Sequence, residues 1–261
     1  MNKLKKENIF YRINDKYFIL ISLTMTFIIW SAISNSIAGA IFASPKETIL
    51  AFIREFSEGR IQLHIASSIL RVLTGFFLGL LVAIPVAFLM GWYKPIRLLI
   101  EPLIQFMRNI PALAYIPLIV VAQGVGESAK ITVIFIATFL VMVITIYQGV
   151  KNVDATLIKA AKVLGANDKD IFFKVVIPAS FPYILVGIKL GLASALTTLI
   201  AAELTGAQTG LGQMIQEASL YFRMDIVILG IVLIGILGLI LNKIVSYLER
   251  RLAGWQETTN N

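Results

Sequence analysis

Few residues of this chain have the types and spacing that bond-making chemistry needs. His64 is the only histidine and cysteine is absent. Histidine-based metal sites are therefore unsupported, and disulfides, thiolate metal sites and cysteine nucleophiles are excluded. No paired carboxylates stand at helical spacing inside an apolar run, so acid–base chemistry there is not indicated. The sequence does not favour a membrane-embedded enzyme.

One basic residue stands where it could act on a charged ligand. Arg108 lies about ten residues into the apolar run 98–123, where an arginine at mid-membrane costs roughly 2.5–3.5 kcal/mol on insertion scales. We expect its side chain to face protein or a water-filled cavity. The alternative is that Arg108 reaches the membrane surface or pairs with a carboxylate such as Glu101. Pro111 and Pro117 follow, and each removes a backbone hydrogen bond that neighbouring helices must replace.

A second group of residues is suited to binding a protein. Residues 159–178, KAAKVLGANDKDIFFKVVIP, are polar and cationic and lie between two membrane-length apolar runs. Asn152 or Asp154 can cap a first helix, whose apolar residues recur at spacings of three and four. Gly165 stands where that helix should stop. The apolar positions of this helix are Val153, Leu157, Ala160, Ala161 and Leu164.

A second short helix follows Gly165. Asn167 or Asp168 can cap it, and it carries Ile171 and Phe172 towards Pro178. Two short helices joined by a glycine turn are suited to filling a groove on a soluble partner. The alternative is an interfacial helix without a partner. We expect Ser180 and Pro182 to open the next membrane helix as its cap and first turn.

The elements that must position these residues are membrane helices. The chain is 58% hydrophobic and its mean hydropathy is +0.85, whereas soluble domains are nearer 45–50% apolar. A bilayer core about 30 Å thick needs roughly 20 apolar residues per helix. Six runs qualify, which predicts an all-α polytopic membrane protein: 17–34, 72–93, 98–123, 131–150, 181–202 and 226–242.

The basic residues predict the orientation of these spans. With the N-terminus inside, the inner segments hold 15 Lys and Arg residues and the outer segments hold 6. This bias places both termini and residues 151–180 in the cytoplasm. The same rule accounts for the net charge of +8, so nucleic acid is not implied. We interpret the first span as a retained anchor, although residues 38–40 have the form of a cleavage site.

The segments expected outside contain several local signals. Ser44 to Glu47 have the form of a capping box with proline at the first helical position. We expect an amphipathic helix there, either lying on the membrane surface or packed on neighbouring spans. Gly75 and Gly79 form a small-xxx-small pair that lets helices approach closely. Glu203 is expected near the outer edge, where water can solvate it, and the glycines of 206–212 indicate tight turns.

A resemblance extends over about residues 40–255. Residues 159–178 resemble the EAA loop of ABC importer permeases, with Ala160, Ala161, Gly165 and Pro178 in matching positions and Lys159 where the pattern has Glu. Other segments resemble the nitrate/sulfonate/taurine branch of these permeases: Ser68-x-x-Arg71, Glu101-Pro102-Leu103, Arg108 to Leu118, Gly126 to Lys130, and Glu203 with Gly210-Leu211-Gly212.

The resemblance implies a type I ABC importer permease fold, with six transmembrane helices and a cytoplasmic pair of coupling helices. It implies a homodimer in the inner membrane of a bacterium, two cytoplasmic ABC ATPase subunits, an external substrate-binding protein and surrounding lipid. We expect no cofactor, metal or catalytic site in this chain. The segment Gly124 to Lys130 is not a P-loop, because Lys130 follows alanine and neither Ser nor Thr comes next. ATP and Mg²⁺ should therefore be used by the partner.

The implied sites fall into two groups. The coupling group contains Lys159, Ala160, Ala161, Leu164, Gly165, Asp168, Ile171, Phe172 and Pro178. The pathway group contains Arg108, Asn109, Pro111, Tyr115 and Glu203. The expected substrate is a small anion such as an aliphatic sulfonate, taurine, nitrate or bicarbonate. A thiamine-precursor-like or other small organic nutrient is the alternative, and a secondary transporter is a more distant one, since no half-to-half repeat is evident.

The expected organisation runs from one cytoplasmic tail to the other. Residues 1–16 form the N-terminal tail, 17–36 the first membrane helix and 37–65 the external loop with its amphipathic helix. Residues 66–248 form the core permease domain, including the coupling loop 151–180, and 249–261 form the C-terminal tail.

Overall fold

The computed structural model describes residues 15–36 and 42–252, and these residues form helices and no strand. The all-α prediction is confirmed. Residues 38–40 and most of both tails lie outside the described ranges. The α-helices are α1 (Asp15–Ser34), α2 (Pro45–Ser57), α3 (Arg60–Trp92), α4 (Lys94–Arg108), α5 (Ile116–Gln123), α6 (Glu127–Lys151), α7 (Ala155–Val163), α8 (Asp168–Ile171), α9 (Ile177–Leu204), α10 (Leu211–Leu220) and α11 (Met224–Leu252).

Among the described residues, five helices are long and apolar enough to cross a membrane, and a bent pair makes a sixth span if it is counted as one. The bent pair is α4 with the segment Ala112–Gln123, and its two halves meet at 93°. The run 98–123 was predicted as one span, so this break is a correction. Pro111 follows the end of α4 and cannot donate the backbone hydrogen bond that would continue it. With 15 residues, α4 extends about 22 Å.

The core of the bundle is formed by α3, α6 and α9, with α6 in the middle. Glycines allow these helices to lie close together. A Cβ added at Gly75 would lie 2.6 Å from Ile134 of α6, and one added at Gly79 would collide with Thr138. The small-xxx-small prediction is therefore confirmed. Gly191 of α9 likewise packs directly against Met142 of α6.

The first helix lies at the edge of this bundle. The side chains of its apolar stretch are largely uncovered by the rest of the chain. Trp30 donates a hydrogen bond from Nε1 to the carbonyl oxygen of Ala43, 3.0 Å away, and so links α1 to the start of α2. An apolar helix with so few internal contacts needs an apolar surrounding such as lipid.

The second helix begins with the predicted capping box. Ser44 Oγ accepts a hydrogen bond from the Glu47 N–H, and the Glu47 side chain accepts one from the Ser44 N–H. The bond from the Ser44 N–H to the Glu47 carboxylate holds the pKa of Glu47 below its ordinary value. The helix packs on α3 and α11 through its small and polar side, while its apolar residues stay exposed. Those exposed residues are Ile49, Leu50, Phe52, Ile53 and Phe56.

Ion pairs hold α2 in this position. The buried Glu55 side chain pairs with Arg60 at 2.8 Å and with Arg223 at 3.1 Å. Arg54 pairs with Asp225 at 2.8 Å, in the first turn of α11. The helix is therefore packed on neighbouring helices, as one of the two alternatives expected, and it still presents an apolar face.

Two helix starts differ from their expected positions. The helix α3 begins at Arg60 and includes His64, which was expected in a loop. The helix α9 begins at Ile177 with Pro178 in its first turn, so Pro182 lies inside the helix. Ser180 does not cap α9, because its hydroxyl donates to the carbonyl oxygen of Val176 at 2.7 Å.

Candidate functional site

The first half of the α7–α8 segment (residues 154–178) is a capped helix that ends in a fixed turn. Asp154 accepts a hydrogen bond from the Thr156 N–H at 2.8 Å, and this bond holds the pKa of Asp154 below its ordinary value. Asp154, rather than Asn152, is therefore the cap. At the other end, the Gly165 N–H donates to the carbonyl oxygen of Lys162, and the Ala166 N–H donates to that of Ala161, both at 3.0 Å. This pair of bonds is the Schellman motif.

Gly165 has the backbone conformation that this turn requires. Its φ is +82°, in the left-handed region that disfavours residues with a Cβ. No neighbouring atom lies within 4 Å of the position that a Cβ would take. Glycine is thus needed here for its conformation and not for space, and the predicted helix stop is confirmed.

The second half of the segment is anchored to the bundle. Asn167 caps α8 by accepting from the Asp170 N–H at 2.9 Å. Ile171 is fully buried, and the Phe172 ring lies 5.8 Å from that of Phe88 and 5.1 Å from that of Trp92, both in α3. A single π-helical turn, Phe172–Val176, then leads into α9 without a break. Such turns are frequent at functional sites.

The coupling group divides between two faces of this segment. Ile171 and Phe172 point into the bundle and Ala161 is half-buried, while Lys159 and Ala160 are exposed. Val163 and Leu164 are 88% and 86% exposed. Asp168 lies on the rim of an open cavity of about 570 Å³ that aromatic residues line. Those aromatic residues are Phe88, Trp92, Tyr93, Phe172 and Phe173.

Most of the pathway group gathers at the break between α4 and α5. Arg108, Asn109 and Pro111 are exposed there, and the half-buried Tyr115 bridges the break by donating its hydroxyl to the Met107 carbonyl oxygen at 3.0 Å. Within the described ranges, no carboxylate forms an ion pair with Arg108. Glu101, the partner considered from the sequence, accepts instead from the Tyr147 hydroxyl at 3.3 Å.

Glu203 does not share that surface, and its expected solvation is wrong. Its side chain is 0% exposed and its Oε1 lies 2.7 Å from Arg71 Nη1. Oε1 also accepts from the Ser68 hydroxyl at 2.8 Å, and Oε2 accepts from the Gly212 N–H at 2.7 Å. Glu203 therefore belongs to a group that we call the Arg71 cluster, in which Arg71 and Glu203 are buried and Glu127 is 59% exposed. Its members are Ser68, Arg71, Glu127, Glu203, Thr209 and Gly212.

Arg71 uses its whole guanidinium group inside this cluster. Nε and Nη2 donate to the two oxygens of Glu127 at 2.6 and 2.7 Å, and Nη1 also donates to the Thr209 carbonyl oxygen at 2.6 Å. Lys130 Nζ lies 3.4 Å from Glu127, which balances the charges. The sequence pointed to these residues only through the resemblance. The one direct sign of an Arg71–Glu203 pair in the sequence is that a basic and an acidic residue lie in separate apolar runs.

A turn of the backbone closes the cluster. The Leu211 N–H donates to Ser68 Oγ at 2.8 Å, and the Gly210 N–H donates to His64 Nδ1 at 3.0 Å. A Cβ at Gly210 would lie 2.6 Å from Arg71 Nη1, and one at Gly212 would lie 3.0 Å from the Glu203 Cβ. The glycines expected to make tight turns are thus also required by close approach to buried charges.

These helices form a bundle of candidate membrane spans, and comparison with known proteins identifies the family. Residues 75–254 match the model of the binding-protein-dependent transport system inner membrane component. The chain belongs to that family of ABC importer permeases. It is a multi-pass protein of the inner membrane.

Curated relatives agree with this assignment. The chain is 53% identical over 199 residues to a probable ABC transporter permease protein of Brucella abortus, covering 76% of this chain and 80% of the relative. It is 34% identical over 232 residues to the taurine transport system permease protein of Escherichia coli, covering 87% and 84%. It is 32% identical over 232 residues to a putative aliphatic sulfonates transport permease protein of Bacillus subtilis, covering 88% and 84%.

A solved structure shows the same fold. The crystal structure of an amino acid ABC transporter with histidines aligns with 78% of this chain and 97% of its own, with a TM-score of 0.59 and 23% identity. The expected fold of an ABC importer permease is therefore confirmed.

Proposed function

We propose that two copies of this chain form the membrane pathway of an ATP-driven importer. Two cytoplasmic ABC ATPase subunits bind the α7–α8 segments, and an external binding protein delivers the substrate. Both termini lie in the cytoplasm, lipid surrounds the bundle and nucleic acid is not a partner. The chain binds no cofactor, and ATP and Mg²⁺ are used in the ATPase subunits. Membership of a binding-protein-dependent family supports this arrangement.

One observation carries the proposed docking surface. The α7–α8 segment presents Val163 and Leu164 almost fully exposed, beside the turn at Gly165. Exposed apolar surface in water costs about 25 cal/mol per Å², which a partner recovers by covering it. The segment is also fixed to α3 by Phe172. A partner that pushes on this surface therefore pushes on the bundle.

The proposed substrate is a small anion such as taurine, an aliphatic sulfonate, nitrate or bicarbonate. Two relatives are named for taurine and for aliphatic sulfonates. Arg108 supplies an exposed positive charge at the break between α4 and α5, with no carboxylate partner in the described part of the chain. A thiamine-precursor-like or other small organic nutrient is the alternative substrate, because the binding protein and not the permease can set the choice.

The docking surface is tested by replacing one exposed leucine in the importer co-purified in mild detergent. We expect Leu164→Glu to reduce the amount of co-purified ATPase subunit by about 10-fold, the effect of roughly 1.4 kcal/mol in binding. The matched control is Leu220→Glu, which changes a leucine that is 72% exposed at the end of α10. If both variants retain the ATPase equally, the docking surface lies elsewhere.

The substrate is tested in proteoliposomes that contain the wild-type importer and its binding protein. We expect ATP-dependent uptake of labelled taurine or alkanesulfonate and no uptake of a thiamine precursor. Arg108→Gln should lower anion uptake while ATPase co-purification stays at the wild-type level. Uptake of the thiamine precursor alone would replace the anion assignment, and proton flux without ATPase subunits would point to a secondary transporter.

A further inference from the structure

The Arg71 cluster sits at one end of the helix that carries the α7–α8 segment at its other end. The helix α9 has 28 residues and is therefore about 42 Å long. It continues directly from the π-helical turn that follows Phe172. At its far end, Glu203 is held by Arg71, by Ser68 and by the backbone of Gly212.

This cluster is built to hold position and not to bind a ligand. The donors of Arg71 are turned towards Glu127, Glu203 and Thr209, so none is left to receive a substrate anion. The side chains of Arg71 and Glu203 are 2% and 0% exposed. Separating a buried pair leaves two uncompensated charges, which is strongly unfavourable. Breaking the contact between α3 and the end of α9 is therefore costly.

The two ends of α9 are held by different kinds of contact. Beyond Glu203, the chain turns at Gly206 and Gly210, which both have positive φ, and a Cβ added at Gly210 would collide with Arg71 and Glu203. At the start of α9 the contacts are apolar, with Ile171 and Val176 buried, and the backbone forms a π-helical turn. Irregular turns of this kind accommodate changes in helix direction.

We infer that the Arg71 cluster is the pivot about which α9 turns when the α7–α8 segment moves. Glu203 and Arg71 are then positioning residues for transport: they keep one end of α9 and the turn 205–212 in place while the other end moves. The inference rests on the proposed function, because an ATPase must supply the movement. Without the pivot, α9 would shift as a whole and the movement would not be converted into a change of access.

The test is Glu203→Gln in the importer reconstituted with its ATPase subunits and binding protein. The amide keeps the shape of the side chain, but it removes the charge that Arg71 pairs with. We expect ATP hydrolysis to continue and the ATP consumed per substrate imported to rise by about 10-fold, within the usual range for coupling between sites. A residue needed only for folding would lower the yield of importer without changing this ratio, and that outcome would overturn the inference.

The matched control removes another ion pair of the same helix. Lys189 of α9 pairs with Glu249 of α11 away from the Arg71 cluster. Glu249→Gln should leave the ATP consumed per substrate at the wild-type value. An equal rise in both variants would show that any ion pair on α9 has this effect, which would also overturn the inference.

A distance measurement tests the pivot without relying on activity. The chain has no cysteine, so single cysteines at Lys174 and Leu204 give unique spin labels in the two copies. We expect nucleotide trapping to change the distance between the Lys174 labels more than that between the Leu204 labels. Equal changes at the two positions would refute the pivot. Absence of ATP-dependent uptake by the wild-type importer would instead refute the proposed function itself.

Discussion

At Gly165 the conformation of a single residue sets the shape of the α7–α8 segment. Its φ of +82° allows both bonds of the Schellman motif, and the space around it is empty. A residue with a Cβ would fit among its neighbours, but the left-handed backbone conformation would cost it roughly 1–2 kcal/mol. The effect of a substitution here is thus on the turn and not on packing.

Gly165→Val should uncouple ATP hydrolysis from uptake. The valine strains the left-handed turn, so the exposed end of α7 no longer keeps its direction relative to α8, and uptake should fall by roughly 5- to 10-fold while the ATPase still hydrolyses ATP. The measurement is ATP consumed against substrate imported in proteoliposomes.

Gly59→Val is the matched control for that substitution. Gly59 has a φ of +75° and also has no atom near the position of a Cβ, but it lies between α2 and α3. The strain introduced is therefore similar and only its location differs. Normal transport by Gly165→Val, or an equal loss in both variants, would contradict the role of this turn.

The residue scale also shows where sequence reasoning fails. The caps at Ser44 and Asp154 and the helix stop at Gly165 depend on neighbours within a few residues. The local sequence was therefore enough to predict them. The burial of Glu203 depends on Arg71, which is 132 positions away. A single sequence gives charge and hydropathy at each position, but not which remote side chains meet.

At the scale of elements, the same contrast separates helix identity from helix geometry. Six spans were predicted from apolar length, and five of them each have a matching helix in the described part of the chain. The run 98–123 was long enough for a sixth, yet it bends by 93°. The prolines in that run indicated a disturbed helix. The bend angle depends on packing against α3 and α6, which the local sequence does not contain.

Phe172 makes the prediction that belongs to this scale, because it joins two elements. Phe172→Ala removes ring contacts to Phe88 and Trp92. The substitution should cost about 2 kcal/mol, below the 3–5 kcal/mol of a fully buried phenylalanine, since Phe172 is half-buried. We expect a lower thermal midpoint in detergent and weaker ATP-dependent uptake.

Phe173→Ala is the control for that prediction. Phe173 follows directly in the same π-helical turn, yet it is 64% exposed. Its removal should leave the thermal midpoint near that of the wild type. If Phe173→Ala is as damaging as Phe172→Ala, the anchoring contact with α3 does not account for the loss.

At the scale of the whole molecule, the distribution of charge agrees with the orientation proposed for the bundle. Three basic residues next to α2 and the start of α11 are paired with acids: Arg60 with Glu55, Arg223 with Glu55, and Arg54 with Asp225. Those of the α7–α8 segment, such as Lys159 and Lys162, are exposed. The positive-inside rule counts Lys and Arg residues whether or not they form ion pairs. By that count, more of them lie on the side of the membrane that holds α7.

Single cysteines can test that orientation directly, because the natural chain has none and gives no background labelling. Lys162→Cys places a thiol on the exposed side of α7, and Phe222→Cys places one between α10 and α11, where the side chain is 83% exposed. In sealed cells, a membrane-impermeant maleimide should label Cys at position 222 at once. Position 162 should react only after the membrane is opened, because α7 then becomes accessible to the reagent. If position 162 were labelled from the exterior of sealed cells, α7 could not meet a cytoplasmic ATPase, and the docking surface and the pivot would both be wrong.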